Sequence, residues 1–492
     1  MLPSRETRSR SNFPADNGGT RLGRAIAPSV TAHPGKSGIY PLADSRDAFA
    51  ARILLARDAE RSLDLQYYIW RKDLSGTLLF QALHDAADRG VRVRLLLDDH
   101  GSFGIDDTLA ALDAHPNIEV RLFNPVSIRT PRWIGYLTDF LRLNRRMHNK
   151  SFTADNQAAI VGGRNVGDEY FGAAEGVLFV DLDVLAVGPV VEEISVDFDR
   201  YWHSASSFPL GRLLPPADSA RLAELASAAQ GIESDPAAEK YMSALRNAPF
   251  VRELIEGCLT LEWAATHAVS DDPAKVLGLA AAEVNLPEKL KQIIGEPVSE
   301  VLLVSAYFVP TAAGVDAFVA MADRGVAVRV LTNSLEATDV APVHAGYAKW
   351  RKRLLQAGIA ISELRRLSPD RGKRKRRGSL GRSGLSLHAK TFSVDRSRLF
   401  IGSFNFDPRS ANLNTEMGVV IDSPALAKRI AKFCENRISA NAYHVRLSET
   451  GGLYWIENRP GEVIRHDTEP GTSLWRRAGV RLLSLLPIEW LL

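Results

Sequence analysis

Two histidines, two lysines and two asparagines recur in this chain with the same spacing. His148-Asn149-Lys150 is followed after four residues by Asp155, and after six more by Gly162-Gly163-Arg164-Asn165. His388-Ala389-Lys390 is followed after four residues by Asp395, and after six more by Gly402-Ser403-Phe404-Asn405. If the two His-Lys-Asn sets converge, they make an anion site with two titratable groups. Lysines supply point charges and asparagines supply neutral donors to the non-bridging oxygens of a phosphodiester. One histidine can attack phosphorus and hold it as a phosphohistidine while an alcohol departs. The other can protonate that leaving oxygen and later deprotonate the incoming alcohol or water. Histidine suits both tasks because it titrates near neutrality. One set alone is too weak a cradle, which gives the duplication a reason. The lysines provide the electrostatics and no carboxylate-rich cluster stands out, so neither a metal nor a cofactor is expected.

The remaining motif positions read as structural. Asp155 and Asp395 fall at hairpin turns and are expected to brace the flanking strands. Gly162, Gly163 and Gly402 shape the turn ahead of each asparagine. Ser403 does the same, and its hydroxyl is also able to donate to phosphate.

Those residues need elements to position them, and the elements are duplicated as well. ADRGVRVRLL (87–96) returns as ADRGVAVRVL (322–331), eight of ten residues identical at an offset of 322 − 87 = 235. LDLQYYIW (63–70) resembles LLVSAYFVP (302–310), with Tyr67 set against Tyr307 at the motif offset, 388 − 148 = 240. Short apolar runs at 63–68 and 301–305 have strand length. Helical spacing at 78–89 and 315–324 ends at Gly90 and Gly325, favourable C-terminal caps. The β-branched-rich runs at 91–97 and 326–331 read as buried parallel strands. Each motif adds a hairpin, 151–154 with 158–161 and 391–394 with 398–401. His and Lys at i and i+2 then share a face of one strand. The fold class is α/β. The expected organisation is a flexible arm at 1–38, a first repeat at 39–207, a mostly helical connector at 208–296, a second repeat at 297–445 and a C-terminal tail at 446–492.

Composition is that of a globular protein, 45% hydrophobic and 24% charged over 492 residues. The net charge of +3 is too small to argue for nucleic acid by itself. Two cysteines, Cys258 and Cys434, suggest neither a zinc site nor a disulfide framework. No apolar run reaches the roughly 18 residues of a transmembrane helix, and the N-terminus lacks the apolar core of a signal peptide.

The paired HxKxxxxD…G[SG]xN pattern resembles the phospholipase D superfamily. AYFVP (306–310), TNSLEATDVAPVHAGYAKWRKRLLQAGI (332–359), SFNFDPRSANLNTEMG (403–418) and the closing LPIEWLL are similar to bacterial cardiolipin synthases, most closely the C type. The resemblance spans roughly residues 40–492. It implies an α-β-α sandwich of two pseudo-symmetric repeats packed around one shared active site, so that a monomer suffices. It implies a phosphatidyltransferase making cardiolipin from phosphatidylglycerol and a second phospholipid, phosphatidylglycerol or phosphatidylethanolamine. His148 is then the nucleophile and His388 the acid/base. Family members also orient a histidine with an acid after each motif, and Glu416 and Asp181 take those places. Gly163 stands where serine is commoner. The alternatives are a phospholipase D-type hydrolase releasing phosphatidic acid and, further off, a DNA phosphodiesterase. Small nucleases of the superfamily carry one motif per chain, which makes nucleic acid an unlikely partner for this one.

A lipid substrate requires a route to the bilayer, and peripheral attachment to the bacterial inner membrane is expected, with the face unassigned. The run Arg371, Lys373, Arg374, Lys375, Arg376, Arg377 suits anionic lipid. The tail joins Trp475, Arg476, Arg477 and Arg481 with Leu482, Leu483, Leu485, Leu486 and Trp490, as an interfacial helix does. The bland readings are a solvated loop and a segment docked on its own domain. The basic run also suits nucleic acid.

Overall fold

The computed structural model describes residues 8–14, 17–173, 177–217, 227, 231, 236–256, 258–366 and 384–492. The chain forms two compact units that do not follow the repeat boundaries. Unit 1 comprises Met1–Ala173, Leu182–Glu288 and Leu413–Val419. Unit 2 comprises Ala174–Asp181, Lys289–Asn412 and Val420–Leu492. Each unit therefore contains a short segment drawn from the other half of the sequence.

In unit 1 the strands are β1 (Ser37–Leu42), β2 (Ser62–Tyr67), β3 (Arg92–Asp98), β4 (Ile118–Phe123), β5 (Ser151–Ala154) and β6 (Ala158–Gly162). After β7 (Val177–Val180), which belongs to unit 2, come β8 (Asp183–Val187), β9 (Ser207–Pro209) and β10 (Glu262–Ser270). β2, β3 and β4 are parallel, and β5, β6, β8, β1 and β10 continue antiparallel from the β2 edge. Helices cover both faces. Arg52 on helix Ser45–Asp58 donates to the buried Tyr67 hydroxyl at 3.0 Å. On the opposite face Arg94, held by Asp64 at 2.6 Å, lies under Phe198 and Trp202 of helix Pro189–His203.

Unit 2 repeats the central order. β11 (Glu300–Ser305), β12 (Ala327–Asn333) and β13 (Ala360–Leu364) are parallel. β15 (Lys390–Val394) and β16 (Arg398–Gly402) continue antiparallel from β11. The other edge is extended by β18 (Ala442–Leu447), β19 (Leu453–Arg459) and β20 (Glu462–His466). β14 (Gly384–Leu387) pairs with β7 in parallel, apart from that sheet. β17 (Met417–Asp422) follows the second motif. Gly90 and Gly325 follow their helices with φ of 90° and 87°, the left-handed cap that the sequence predicts.

Register corrects one sequence pairing. Leu63 faces Ala154 as Val301 faces Val394, so β2 and β11 correspond at 301 − 63 = 238. Tyr67 therefore matches Ser305 and not Tyr307. The two tyrosines share an aromatic run but not a place: Tyr67 is buried against Arg52, and the Tyr307 hydroxyl donates to Asp339 at 2.9 Å.

Three boundaries also differ from expectation. The expected arm contains a helix, Arg21–Ala32, capped by Thr20. Residues before it are tied down, since Arg94 donates to the Ser11 carbonyl at 2.6 Å and the Phe13 N–H to Asp199 at 3.0 Å. Backbone partners outweigh the disorder-prone composition there. The expected connector supplies β10, which pairs with β1, because alternating burial along Glu262–Ser270 suits a sheet edge. The boundary at 445 cuts β18, and the tail adds β19 and β20 to the sheet. The basic run 371–377 lies outside the described residues.

Candidate active site

Each motif begins with a tight hairpin. Asp155 and Asn156 adopt φ of 51°, and Asp395 and Arg396 adopt 53° and 47°. The Asp155 carboxylate accepts the backbone N–H groups of Glu60, Arg61 and Ser62 at 3.0, 2.8 and 2.9 Å. Asp395 accepts those of Val298, Ser299 and Glu300 at 3.1, 2.7 and 2.9 Å. Burial raises the Asp395 pKa, but these donors outweigh it and hold the carboxyl below its usual range. Both aspartates tie the hairpin to the start of the strand it pairs with, β2 in unit 1 and β11 in unit 2. Gly162 ends β6 where no side chain fits: a Cβ would lie 2.2 Å from Asp183 Oδ1 and 2.5 Å from its Cα. Gly163 N–H reaches the Leu182 carbonyl at 3.4 Å. Gly402 ends β16, and Ser403 is fully buried.

In unit 1, His148 gets its partner from residue 416. Met147 and Thr415 pair as parallel backbone, with Thr415 N–H on the Arg146 carbonyl at 2.9 Å and His148 N–H on the Thr415 carbonyl at 2.8 Å. One step further, His148 Nδ1 lies 2.7 Å from Glu416 Oε2. Glu416 is wholly buried, and its N–H donates to Asp271 Oδ2 at 2.9 Å. Asp271 in turn pairs with Lys275 at 2.9 Å. Tyr68 packs edge-on to His148 with centroids 5.1 Å apart. The buried Lys150 ammonium donates to the His148 carbonyl and lies 5.6 Å from the Tyr68 ring. Asn165 accepts from Ile69 N–H at 3.2 Å and donates to the Tyr170 hydroxyl at 3.0 Å. Behind the histidine, Asp98 accepts Met147 N–H at 2.9 Å and pairs with Arg146 at 3.3 Å. Burial pushes the Asp98 carboxyl up to about 6 in spite of Arg146.

Unit 2 uses the same device. β14 and β7 pair in parallel up to Leu387 and Val180, and His388 N–H donates to the Val180 carbonyl at 2.8 Å. The next step sets His388 Nδ1 2.5 Å from Asp181 Oδ2. Asp181 is buried, and Phe179 packs 4.9 Å from the imidazole. The Lys390 ammonium donates to the His388 carbonyl and lies against the ring, 2.9 Å from Nδ1 and 3.2 Å from Nε2. Asn405 Oδ1 accepts from Tyr307 N–H at 3.4 Å.

The predicted residues thus form two sets: His148, Lys150, Asn165 and Glu416 in unit 1, and His388, Lys390, Asn405 and Asp181 in unit 2. In each, the carboxylate facing Nδ1 accepts, which favours the tautomer with the proton on Nδ1 and the lone pair on Nε2. Sequence reasoning named both acids but not which histidine each serves. It also missed Tyr68, Phe179, Asp271 and Asp98. The paired tyrosines at 67–68 were the one available signal, since no motif surrounds Asp271 or Asp98.

Elsewhere in unit 1, His84, Asp88 and His115 approach one another closely enough to suggest a metal trio. His115 Nδ1 accepts from Asn117 N–H at 3.1 Å, however, so its Nε2 carries the proton that Asp88 accepts at 3.2 Å. That tautomer offers the metal no lone pair.

The sequence matches the family model described as "Cardiolipin synthase, PLD-like domain" over residues 53–202 and 290–438. The chain belongs to this family. It is 52% identical over 475 residues to cardiolipin synthase C of Escherichia coli (strain K12), covering 96% of this chain and 100% of that protein. It is 31% identical to an uncharacterized protein of Helicobacter pylori, covering 95% of this chain and 92% of that one. The solved phosphatidylserine synthase of Haemophilus influenzae Rd KW20 shares the fold, with a TM-score of 0.59 at 14% identity, covering 95% of this chain and 99% of that one.

Proposed function

We propose that the chain is a phosphatidyltransferase that makes cardiolipin from phosphatidylglycerol and a second phospholipid, phosphatidylglycerol or phosphatidylethanolamine. The observation that carries the reading is that both motif histidines, on a chain of the cardiolipin synthase family, hold a buried carboxylate at Nδ1. In the first step His148 Nε2 attacks the phosphatidyl phosphorus. The bond to the head-group oxygen breaks, and His388 in its protonated form gives that oxygen its proton. In the second step neutral His388 takes the proton of a phosphatidylglycerol hydroxyl. The freed oxygen attacks phosphorus, the P–N bond breaks, and His148 is regenerated. Lys150, Lys390, Asn165 and Asn405 stabilise the charge that builds on the non-bridging oxygens. Glu416 and Asp181 fix the tautomers and stabilise each imidazolium.

A single chain carries both histidines, so a monomer meets the chemical requirement. The protein works peripherally on the inner membrane. Among the described residues no helix is long and apolar enough to cross a bilayer. The tail helix Leu474–Leu483 docks through Val480, which packs with Leu335 and Ala345, while Leu474 and Trp475 face solvent. A helix with one docked face and one apolar exposed face suits an interface.

The test is incubation of purified protein with labelled phosphatidylglycerol, with and without phosphatidylethanolamine. Diphosphatidyl product is expected. Phosphatidic acid alone would make the enzyme a hydrolase, and DNA cleavage without lipid turnover would overturn both readings. His148→Ala and His388→Ala should each abolish turnover.

A further inference from the structure

The loop and short helices at residues 126–143 of unit 1 are amphipathic in the wrong sense for folding. Helix Arg132–Thr138 turns Gly135 inward, so close to Val126 that a Cβ would lie 2.4 Å from its Cγ1. Its large apolar side chains point the other way: Trp133 is 62% exposed and Leu137 75%. Helix Phe140–Leu143 buries Leu143 and leaves Leu141 75% exposed, with Phe140 beside it. Phe103, across the gap, is also exposed. A core-seeking helix buries its apolar face, and contiguous exposed apolar surface on a soluble unit marks an interaction site.

The exposure is held in place. Asp99 accepts from Arg129 at 2.9 Å and from the Val126 N–H at 2.7 Å. Asp106 receives Arg129 at 2.7 Å and Arg132 at 2.7 and 2.8 Å. Two guanidinium groups and two carboxylates thus pin the segment, with their charges balanced and turned inward. The large side chains left outward are apolar, with Thr130 and Thr138 between them.

Behind this face lies a cavity of about 630 Å³ lined by His100, Phe103, Arg129, Arg132, Trp133 and Tyr136. That volume lies within the range of a ligand pocket. Its wall lies close to His148: His100 meets Tyr136 on one side and Tyr68 on the other, with His100–Tyr68 centroids 6.5 Å apart, and Tyr68 packs on His148 at 5.1 Å.

We propose that residues 128–141 are an interfacial docking element that beds Trp133, Leu137 and Leu141 in a phospholipid bilayer, and that a phospholipid enters the adjoining cavity from there on its way to His148. The occupant is lipid because the patch joins aromatic and aliphatic anchors whose neighbouring guanidinium groups are neutralised by Asp99 and Asp106, and because His100 in the cavity wall is one ring, Tyr68, away from His148 of the phosphatidyltransferase reading. This rests on the phosphatidyltransferase reading for the substrate, but not for the bilayer contact.

The test compares wild type with the double variant Leu137→Ser/Leu141→Ser, both of which lie outside the cavity lining. Flotation with vesicles of phosphatidylglycerol and phosphatidylethanolamine is measured beside turnover of long-chain phosphatidylglycerol in those vesicles and of short-chain phosphatidylglycerol dispersed as monomers. The variant should lose vesicle turnover by roughly tenfold or more and float poorly, while keeping monomer turnover within about twofold. Leu137→Phe should behave as wild type. Equal flotation and equal vesicle turnover would overturn the proposal, as would equal losses on vesicles and monomers. A self-association abolished by the substitutions, with vesicle binding intact, would assign the patch to a second copy instead. If wild type turns over neither lipid, the transferase reading fails, and flotation of the variant still decides the docking.

Discussion

His388 Nδ1 lies 2.5 Å from Asp181 Oδ2 although the two residues are 207 positions apart and belong to different copies of the repeat. His148 and Glu416, 268 positions apart, make the reciprocal pair. The acids are equivalent at an offset of 416 − 181 = 235, yet each serves the histidine of the other half. The exchange follows from backbone pairing. A parallel strand contact just ahead of each histidine brings the borrowed segment alongside, and the next residue pair is the acid and the imidazole.

With His148 proposed as nucleophile and His388 as acid/base, the crossing gives the two acids different tasks. Glu416→Gln should impair formation of the phosphohistidine at residue 148, and Asp181→Asn should impair proton transfer by His388. Each should lower kcat by roughly 10²–10⁴-fold. Trapping of labelled phosphoenzyme separates them: Glu416→Gln should reduce the trapped yield, while Asp181→Asn should shift the pH profile of release. A phosphoenzyme yield lowered by Asp181→Asn alone would refute the assignment.

Asp155 and Asp395 are expected to act on stability and not on chemistry, because each carboxylate is taken up by backbone N–H groups. Asp155→Ala strands three backbone donors and should cost about 2–4 kcal/mol by denaturant unfolding, with Asp155→Asn recovering part of it. The more exposed Asp395 should cost less when removed. Its folded pKa lies below the ordinary 3.8, so its stabilisation is present above that value and fades as pH falls through the folded pKa. Acid unfolding of Asp395→Asn should lack that component.

Asp98 has the opposite sign. Its carboxyl rises from 3.8 to about 6 on folding, so the folded state binds the proton more tightly. Stability should fall as pH rises from about 4 to about 6, on the order of 2–3 kcal/mol in all. Asp98→Asn should remove that slope while leaving Arg146 without its counter-charge at every pH. Chemical denaturation from pH 4 to 7 checks both points.

Gly162→Ala should destabilise unit 1 by roughly 1–3 kcal/mol or prevent folding, because the new methyl meets Asp183 backbone that cannot retreat. Thermal unfolding measures it. An unchanged midpoint would mean that β6 and β8 can separate there.

Much of the molecule was legible in its sequence. Spacing alone located both His-Lys-Asn sets, the hairpins at Asp155 and Asp395, the helix ends at Gly90 and Gly325, and the α/β class, because these depend on local periodicity and turn chemistry. The reading failed where partners are remote. Tyr67 was set against Tyr307 because the residue types match, but strand register moves the correspondence by two positions. The stretch 208–296 reads as a mostly helical connector, and helices Pro236–Arg246, Pro249–Ile255 and Leu286–Ile294 lie in it, but it also supplies β10 and Asp271, whose cues are a sheet edge and a buried glutamate elsewhere in the chain.

The sequence by itself determined the two His-Lys-Asn sets as candidates, since phosphoryl transfer restricts the residue types and the duplication fixes their spacing. Only the tertiary structure decided which acid serves which histidine and which apolar residues stay outside. Both depend on backbone pairing and helix orientation between segments far apart in the chain, and no local pattern encodes them.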